Sequence, residues 1–187
     1  MEHTIEGTPG FAYVHVDLEP GESLISEAGA MSSMAVDLGI EARLNGGFFS
    51  GLCKRLFGGE SMFVNRYTND TGAPRRVTLA GKTPGDIRAM DLDGESFYFQ
   101  PGAFLACTPG IRLGLGYAGL RSLVAREGLF RLKLGGTGRV FYSAFGGILE
   151  KRVSGSYAVD SGHLVGYDPG MRLRIQLAGG AVLQLLR

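Results

Sequence analysis

Apolar and polar residues alternate along this chain over short stretches, and glycine separates one stretch from the next. Ala12-Tyr-Val-His-Val16 repeats with a period of two, the spacing of a strand whose successive side chains point to opposite faces. Further strands are predicted over 61–68, 104–107, 129–134, 138–143, 164–167, 173–177 and 181–187, each bounded by glycine or another turn former.

The pattern recurs at a larger scale. Val16-Asp-Leu-Glu-Pro-Gly-Glu-Ser-Leu-Ile-Ser-Glu-Ala-Gly-Ala30 and Met90-Asp-Leu-Asp-Gly-Glu-Ser-Phe-Tyr-Phe-Gln-Pro-Gly-Ala103 both carry Gly-Glu-Ser followed at the same offset by Gly-Ala. A weaker third copy, Val153-Ser-Gly-Ser-Tyr-Ala-Val-Asp-Ser-Gly-His163, has its two glycines one residue closer together. Each copy predicts a turn, a short apolar strand, a second turn at the later glycine and a returning strand, which is a β-hairpin. The expected fold is all-β. Three degenerate hairpin repeats at about 10–75, 76–148 and 149–187 form one domain over 1–187, closed as a pseudo-threefold barrel or double-stranded β-helix.

Glycine-rich segments follow the first two hairpins, and their apolar residues switch to helical spacing. Phe48, Phe49, Leu52, Leu56 and Phe57 fall near the i, i+3, i+4, i+7 positions of one helix face, and Leu120, Leu123 and Val124 repeat this at the matching place in the second unit. Both read as short apolar helices that either cap the β core or form an interaction surface. The third unit passes from 173–177 directly to 181–187. It therefore lacks one loop and one strand, through a true deletion or through omission of a disordered segment.

Composition narrows the function without naming it. The 31 glycines suit many tight turns. The 19 Lys and Arg against 18 Asp and Glu give a net charge of +1, too little to draw the protein to nucleic acid or an anionic membrane by its overall field. Two cysteines in no recognisable spacing, the absence of a basic and apolar leader after Met1, and no apolar run long enough to span a bilayer predict a reduced, cytoplasmic protein. In that setting the sequon Asn69-Asp70-Thr71 meets no glycosylation machinery.

Four motifs in order carry a family resemblance: Leu18-Glu-Pro-Gly-Glu-Ser-Leu24, Leu56-Phe-Gly-Gly-Glu-Ser61, Leu134-Gly-Gly-Thr-Gly138 and Val159-Asp-Ser-Gly-His-Leu-Val165. Together they resemble bacterial relatives of the mitochondrial biogenesis factor named for altered inheritance of mitochondria, over nearly the whole chain. The resemblance implies three fused units, each with a fold like the trp RNA-binding attenuation protein. It brings no catalytic residues with it.

Other motifs read as structure. Gly114-Leu-Gly-Tyr-Ala-Gly119 imitates a dinucleotide fingerprint but lacks the βαβ context and the acidic residue downstream. Gly135-Gly-Thr-Gly-Arg139 could cradle a phosphate on backbone amides, yet a turn between two strands explains it as well. His15 is a strand residue with no ligand-spaced partner, and Asp160 beside His163 is expected to form an Asx turn. Cys53, next to Lys54 and Arg55, could be a reactive thiol but reads as a small buried hydrophobe. Asp91, Asp93 and Glu95 offer too few oxygens for calcium and read as a solvated turn. No catalytic residue, cofactor or metal is expected. The reading that follows is a non-catalytic interaction or scaffold protein that self-associates as a homo-oligomer or contacts a protein or membrane surface. RNA binding, through Lys54-Arg55, Arg75-Arg76 and Lys151-Arg152, and a ligand carrier or enzyme with an internal cavity are the alternatives.

Overall fold

The structure, a computed structural model, describes residues 1–44, 63–100, 102–117, 130–177 and 181–186. Fifteen strands and one 3-10 turn account for the regular elements among them. They are β1 (Glu2–Glu6), β2 (Tyr13–Leu18), β3 (Ser23–Glu27), β4 (Met31–Met34), β5 (Gly39–Leu44), β6 (Phe63–Thr68), β7 (Arg75–Ala80) and β8 (Gly85–Phe99). The remainder are β9 (Phe104–Cys107), β10 (Ile111–Tyr117), β11 (Phe130–Phe145), β12 (Ser156–Asp160), β13 (Gly166–Tyr167), β14 (Arg172–Leu177) and β15 (Ala181–Leu186).

The strands make three open sheets. The first runs β1-β2-β7-β4, the second β13-β8-β11-β9-β3-β6-β5 with β10 also on β11, and the third β12-β15-β14. Their strand pairings are antiparallel. The all-β expectation holds. The closed barrel does not form among the described strands, because each sheet ends in strands with one unpaired side.

Alternation decides which faces meet. In β2 the residues Val14, Val16 and Leu18 are fully buried while Tyr13, His15 and Asp17 turn partly to solvent. With Val77 and Leu79 of β7 they pack on Leu24, Tyr67, Ile87, Leu105 and Phe141 of the second sheet. Each such aliphatic side chain withdrawn from water stabilises the sandwich by about 1.5–3 kcal/mol. The opposite face of the second sheet buries Phe99, Phe104, Cys107, Leu132, Leu134 and Val140 in another cluster. β9, covered on both faces, is accordingly an unbroken apolar run, Phe-Leu-Ala-Cys. The third sheet rests on a smaller cluster of Leu164, Tyr167 and Leu185, and joins the second sheet where Tyr167 pairs with Tyr98. Arg131, almost wholly buried, lies near Tyr167 at this junction, where its charge opposes the upward push that burial gives the Tyr167 phenol.

Two expectations about the second unit change. Residues 129–134 and 138–143 were expected as two strands with a turn at Gly135-Gly-Thr-Gly138. They form one strand, β11, and the glycines are a bulge in its pairing with β8 between Gly135 and Thr137. The cause is long-range: a Cβ on Gly136 would collide with the Gly110 carbonyl oxygen, and one on Gly138 with Thr108 Oγ1. Glycine there admits the Gly110 backbone and the Thr108 hydroxyl instead of reversing the chain. Asp91, Asp93 and Glu95 likewise stay within β8, where Gly94 with φ +86° kinks the strand opposite that bulge. The short helical loops expected in the first two repeats fall in 45–62 and 118–129, outside the described residues.

Candidate functional site

All eight residues proposed as an interaction surface, Phe48, Phe49, Leu52, Leu56, Phe57, Leu120, Leu123 and Val124, lie outside the described residues, as does Cys53. The strands that lead into them are informative. Residues 45–62 connect β5 to β6, closed by the pair Leu44 and Phe63, and residues 118–129 connect β10 to β11, closed by Tyr117 and Phe130. Following the register from β11 through β9 and β3 to β6 places these two closing pairs at opposite ends of the second sheet.

The other singled-out residues have local roles. His15 Nδ1 is 2.8 Å from Thr78 Oγ1, its cross-strand partner, and its ring meets Tyr13 edge-on. Asp160 Oδ1 accepts from the Gly162 N–H at 2.9 Å, which is the expected Asx turn. Gly114 and Gly116 belong to β10, where a Cβ on Gly116 would collide with the Tyr98 ring. Asn69 of the sequon is fully buried, and its side chain is consumed by hydrogen bonds within the fold. Cys107 is buried, and burial pushes its thiol up to about 12, so it is no nucleophile near neutral pH. Arg75 and Arg76 are engaged by Asp37 and Asp17 at 2.7 Å, and Lys151 lies over the Tyr157 ring. Those cations are already committed within the chain, which weakens the case for a phosphate-binding stripe.

Sequence reasoning missed two places. The first is a cleft of about 420 Å³ between β1 and the β8–β11 ribbon. Arg139 there forks onto its register partner Asp91 at 2.7 and 2.8 Å, approaches His3 Nδ1 to 3.1 Å, and donates its backbone N–H to Thr108 Oγ1. Hydrogen bonding from Arg139 lowers the Asp91 carboxyl, while burial, followed by the Arg139 charge, lowers the His3 imidazole. A neutral His3 ring stacked edge-on against Phe141 at 5.1 Å accepts from Arg139. This arrangement ties three strands together. It presents an imidazole already used as an acceptor, with no hydroxyl or thiol bonded to it among the described residues.

The second place is one end of the sandwich, where loops 7–11, 81–85 and 145–149 meet. Ala12 N–H donates to Gly85 O at 2.9 Å, Asp86 N–H to Gly146 O at 2.8 Å, and Phe11 N–H to Gly7 O at 2.9 Å. Asp86, buried, also accepts from Arg88 and from the Ile148 N–H. On this knitted backbone Phe11 is 77% exposed, Phe145 80% and Leu149 87%. Their signal in the sequence is slight: Thr-Pro-Gly-Phe11 and Phe145-Gly-Gly each put an aromatic next to a turn.

The family model described as mitochondrial biogenesis AIM24 matches residues 3–186. The chain belongs to that family. Among AIM24-like sequences, an uncharacterized protein of Streptococcus pyogenes serotype M6 is 28% identical over 189 residues, covering 96% of this chain and 75% of that one. An X-ray crystal structure of a Streptococcus pyogenes protein has the same fold, with a TM-score of 0.77 and 25% identity over 99% of this chain and 88% of that one. No helix among the described residues is long and apolar enough to cross a membrane.

Proposed function

We propose that this AIM24-family protein works by surface contact and not by catalysis, as a β scaffold that joins a second copy of itself or another surface through apolar loops. The observation that carries the reading is the pair Phe11, on loop 7–11, and Phe145, the last residue of β11, both more than three-quarters exposed at an end where the backbones of neighbouring segments are hydrogen-bonded. Large aromatic side chains held out on an ordered framework mark an interaction site, since a monomer seldom leaves a contiguous apolar patch open. The segments with Phe48, Phe49, Leu52, Leu56 and Phe57, and with Leu120, Leu123 and Val124, remain the proposed self-association surface.

The threefold organisation belongs to the same proposal. Gly21, Gly94 and Gly155, the first glycines of the three copies, have φ of +83°, +86° and +77°, and Gly29 and Gly102, the second glycines of two of them, have +88° and +84°. Glycines with the same left-handed φ at matching positions support one ancestral unit used three times.

The test is solution mass by light scattering, with circular dichroism to establish folding, for the wild type, Phe49→Asp with Leu52→Asp, and Phe11→Ser with Phe145→Ser. A mass above the 19.9 kDa of one chain that one of these pairs lowers supports self-association through that segment. If neither pair alters the mass or the binding of any surface, the contact reading is wrong.

A further inference from the structure

We propose that loops 7–11, 81–85 and 145–149 form a lipid-docking end that lays Phe11 and Phe145 into the interfacial layer of a bilayer. The inference rests on the contact reading and names the surface contacted.

Four observations favour lipid. First, the fifteen residues of these loops contain no aspartate or glutamate, and Lys82 is their one charge. Lys82 is itself held by Glu27 at 2.8 Å, so the end presents apolar groups with almost no net charge to remove from water. Second, part of the backbone at this end is bonded across the loops, Ala12 N–H to Gly85 O, Asp86 N–H to Gly146 O and Gly146 N–H to Pro84 O. Unsatisfied amides are what usually keeps a loop out of a membrane. Third, charged residues flank the apolar loops in sequence, Glu6 just before the first and Glu150, Lys151 and Arg152 just after the third. That order, apolar loop then charged flank, matches the depth profile from acyl chains to headgroups.

Fourth, the patch is too small for a second copy. Two phenylalanines and a leucine offer on the order of 400 Å², whereas a stable protein interface takes about 800 Å² from each partner. A bilayer needs no matching pocket, so a few protruding aromatics suffice for reversible attachment.

The chain contains no tryptophan, so Phe145→Trp supplies a single fluorophore at the proposed contact. The probe is a vesicle of phosphatidylcholine and phosphatidylglycerol in equal parts. The expected result is a blue-shifted emission on adding vesicles, quenched by brominated acyl chains. Co-sedimentation of the otherwise wild-type chain should fall about tenfold or more for Phe11→Ser with Phe145→Ser. Unchanged tryptophan emission at saturating lipid overturns the proposal, as does a double variant that sediments like the wild type. An emission shift that needs only higher protein concentration, with a doubled mass, assigns the end to a second copy; that outcome overturns the lipid assignment and keeps the contact reading. No shift under either condition, together with an unchanged mass, removes both.

Discussion

Replacing Asn69 by alanine should cost more stability than its place in a turn suggests. Asn69 lies after β6, fully buried, and its side chain makes four hydrogen bonds. Nδ2 donates to Leu18 O at 2.7 Å and to Ala73 O at 2.9 Å, while Oδ1 accepts from the Thr71 N–H at 3.0 Å and from Thr71 Oγ1 at 2.7 Å. Its backbone binds Gly21 and Glu22, so one residue fastens the β2–β3 turn to the β6–β7 turn. Alanine removes all four side-chain bonds and strands the Leu18 carbonyl. At about 0.5–1.5 kcal/mol for each bond, with about 1–3 kcal/mol for a buried group left unsatisfied, a loss near 3 kcal/mol results once local relaxation is allowed for. For a chain of this size that lowers Tm by about 6–12 °C. Thermal melts by circular dichroism and urea midpoints measure it, with Asp70→Ala as an exposed neighbour that should melt like the wild type. Asn69→Asp extends the test. A buried carboxylate facing two carbonyl oxygens has its folded pKa raised, so the stability of this variant should be greatest at acid pH and be lost as pH rises through that pKa. An Asn69→Ala protein that melts within about one degree of the wild type would show that the turns hold each other by backbone contacts alone, against the hydrogen-bond reasoning.

Two further outcomes are expected. In an NMR titration His3 should titrate below its ordinary value of 6.5, and Arg139→Gln should move it upward by removing a cation from beside it. Because the folded-state value is the lower one, the stability His3 contributes is present above the unfolded pKa and fades as pH falls through this range; an unmoved His3 in Arg139→Gln would contradict the assignment. In a Cys53→Ser background, Cys107 should resist iodoacetamide at pH 8 until denaturant is added, since its thiol is buried and pushed up to about 12. Stoichiometric labelling of the native protein within minutes would refute this.

Local pattern made the strands and turns legible, and long-range contact hid the rest. Alternation in Ala12-Tyr-Val-His-Val16 fixed which side of β2 faces the core, and the Gly-Glu-Ser motif marked a left-handed turn at Gly21, whereas its copy at Gly94 keeps the positive φ inside the continuous strand β8. Gly135-Gly-Thr-Gly138 misled because a bulge and a turn use the same residue. What separates them is the Gly110 backbone and the Thr108 side chain pressed against β11, a contact no local window contains. Asp91 and Arg139 are far apart in sequence and meet only through the β8–β11 register. The segments that carry Phe11 and Phe145 come together because their backbones bond to the 81–86 stretch between them, and each aromatic alone is one beside a turn.

The pairing of β3 with β9, Ile25 opposite Cys107 and Ser26 opposite Ala106, has a consequence for synthesis. A chain leaving the ribosome can close β3 against β6 early, but the other side of β3 stays open until Cys107 has emerged. An unpaired strand edge invites pairing with another nascent chain. Strand β3 is thus completed only by β9, and slow translation between them should favour aggregation on the polysome over native folding.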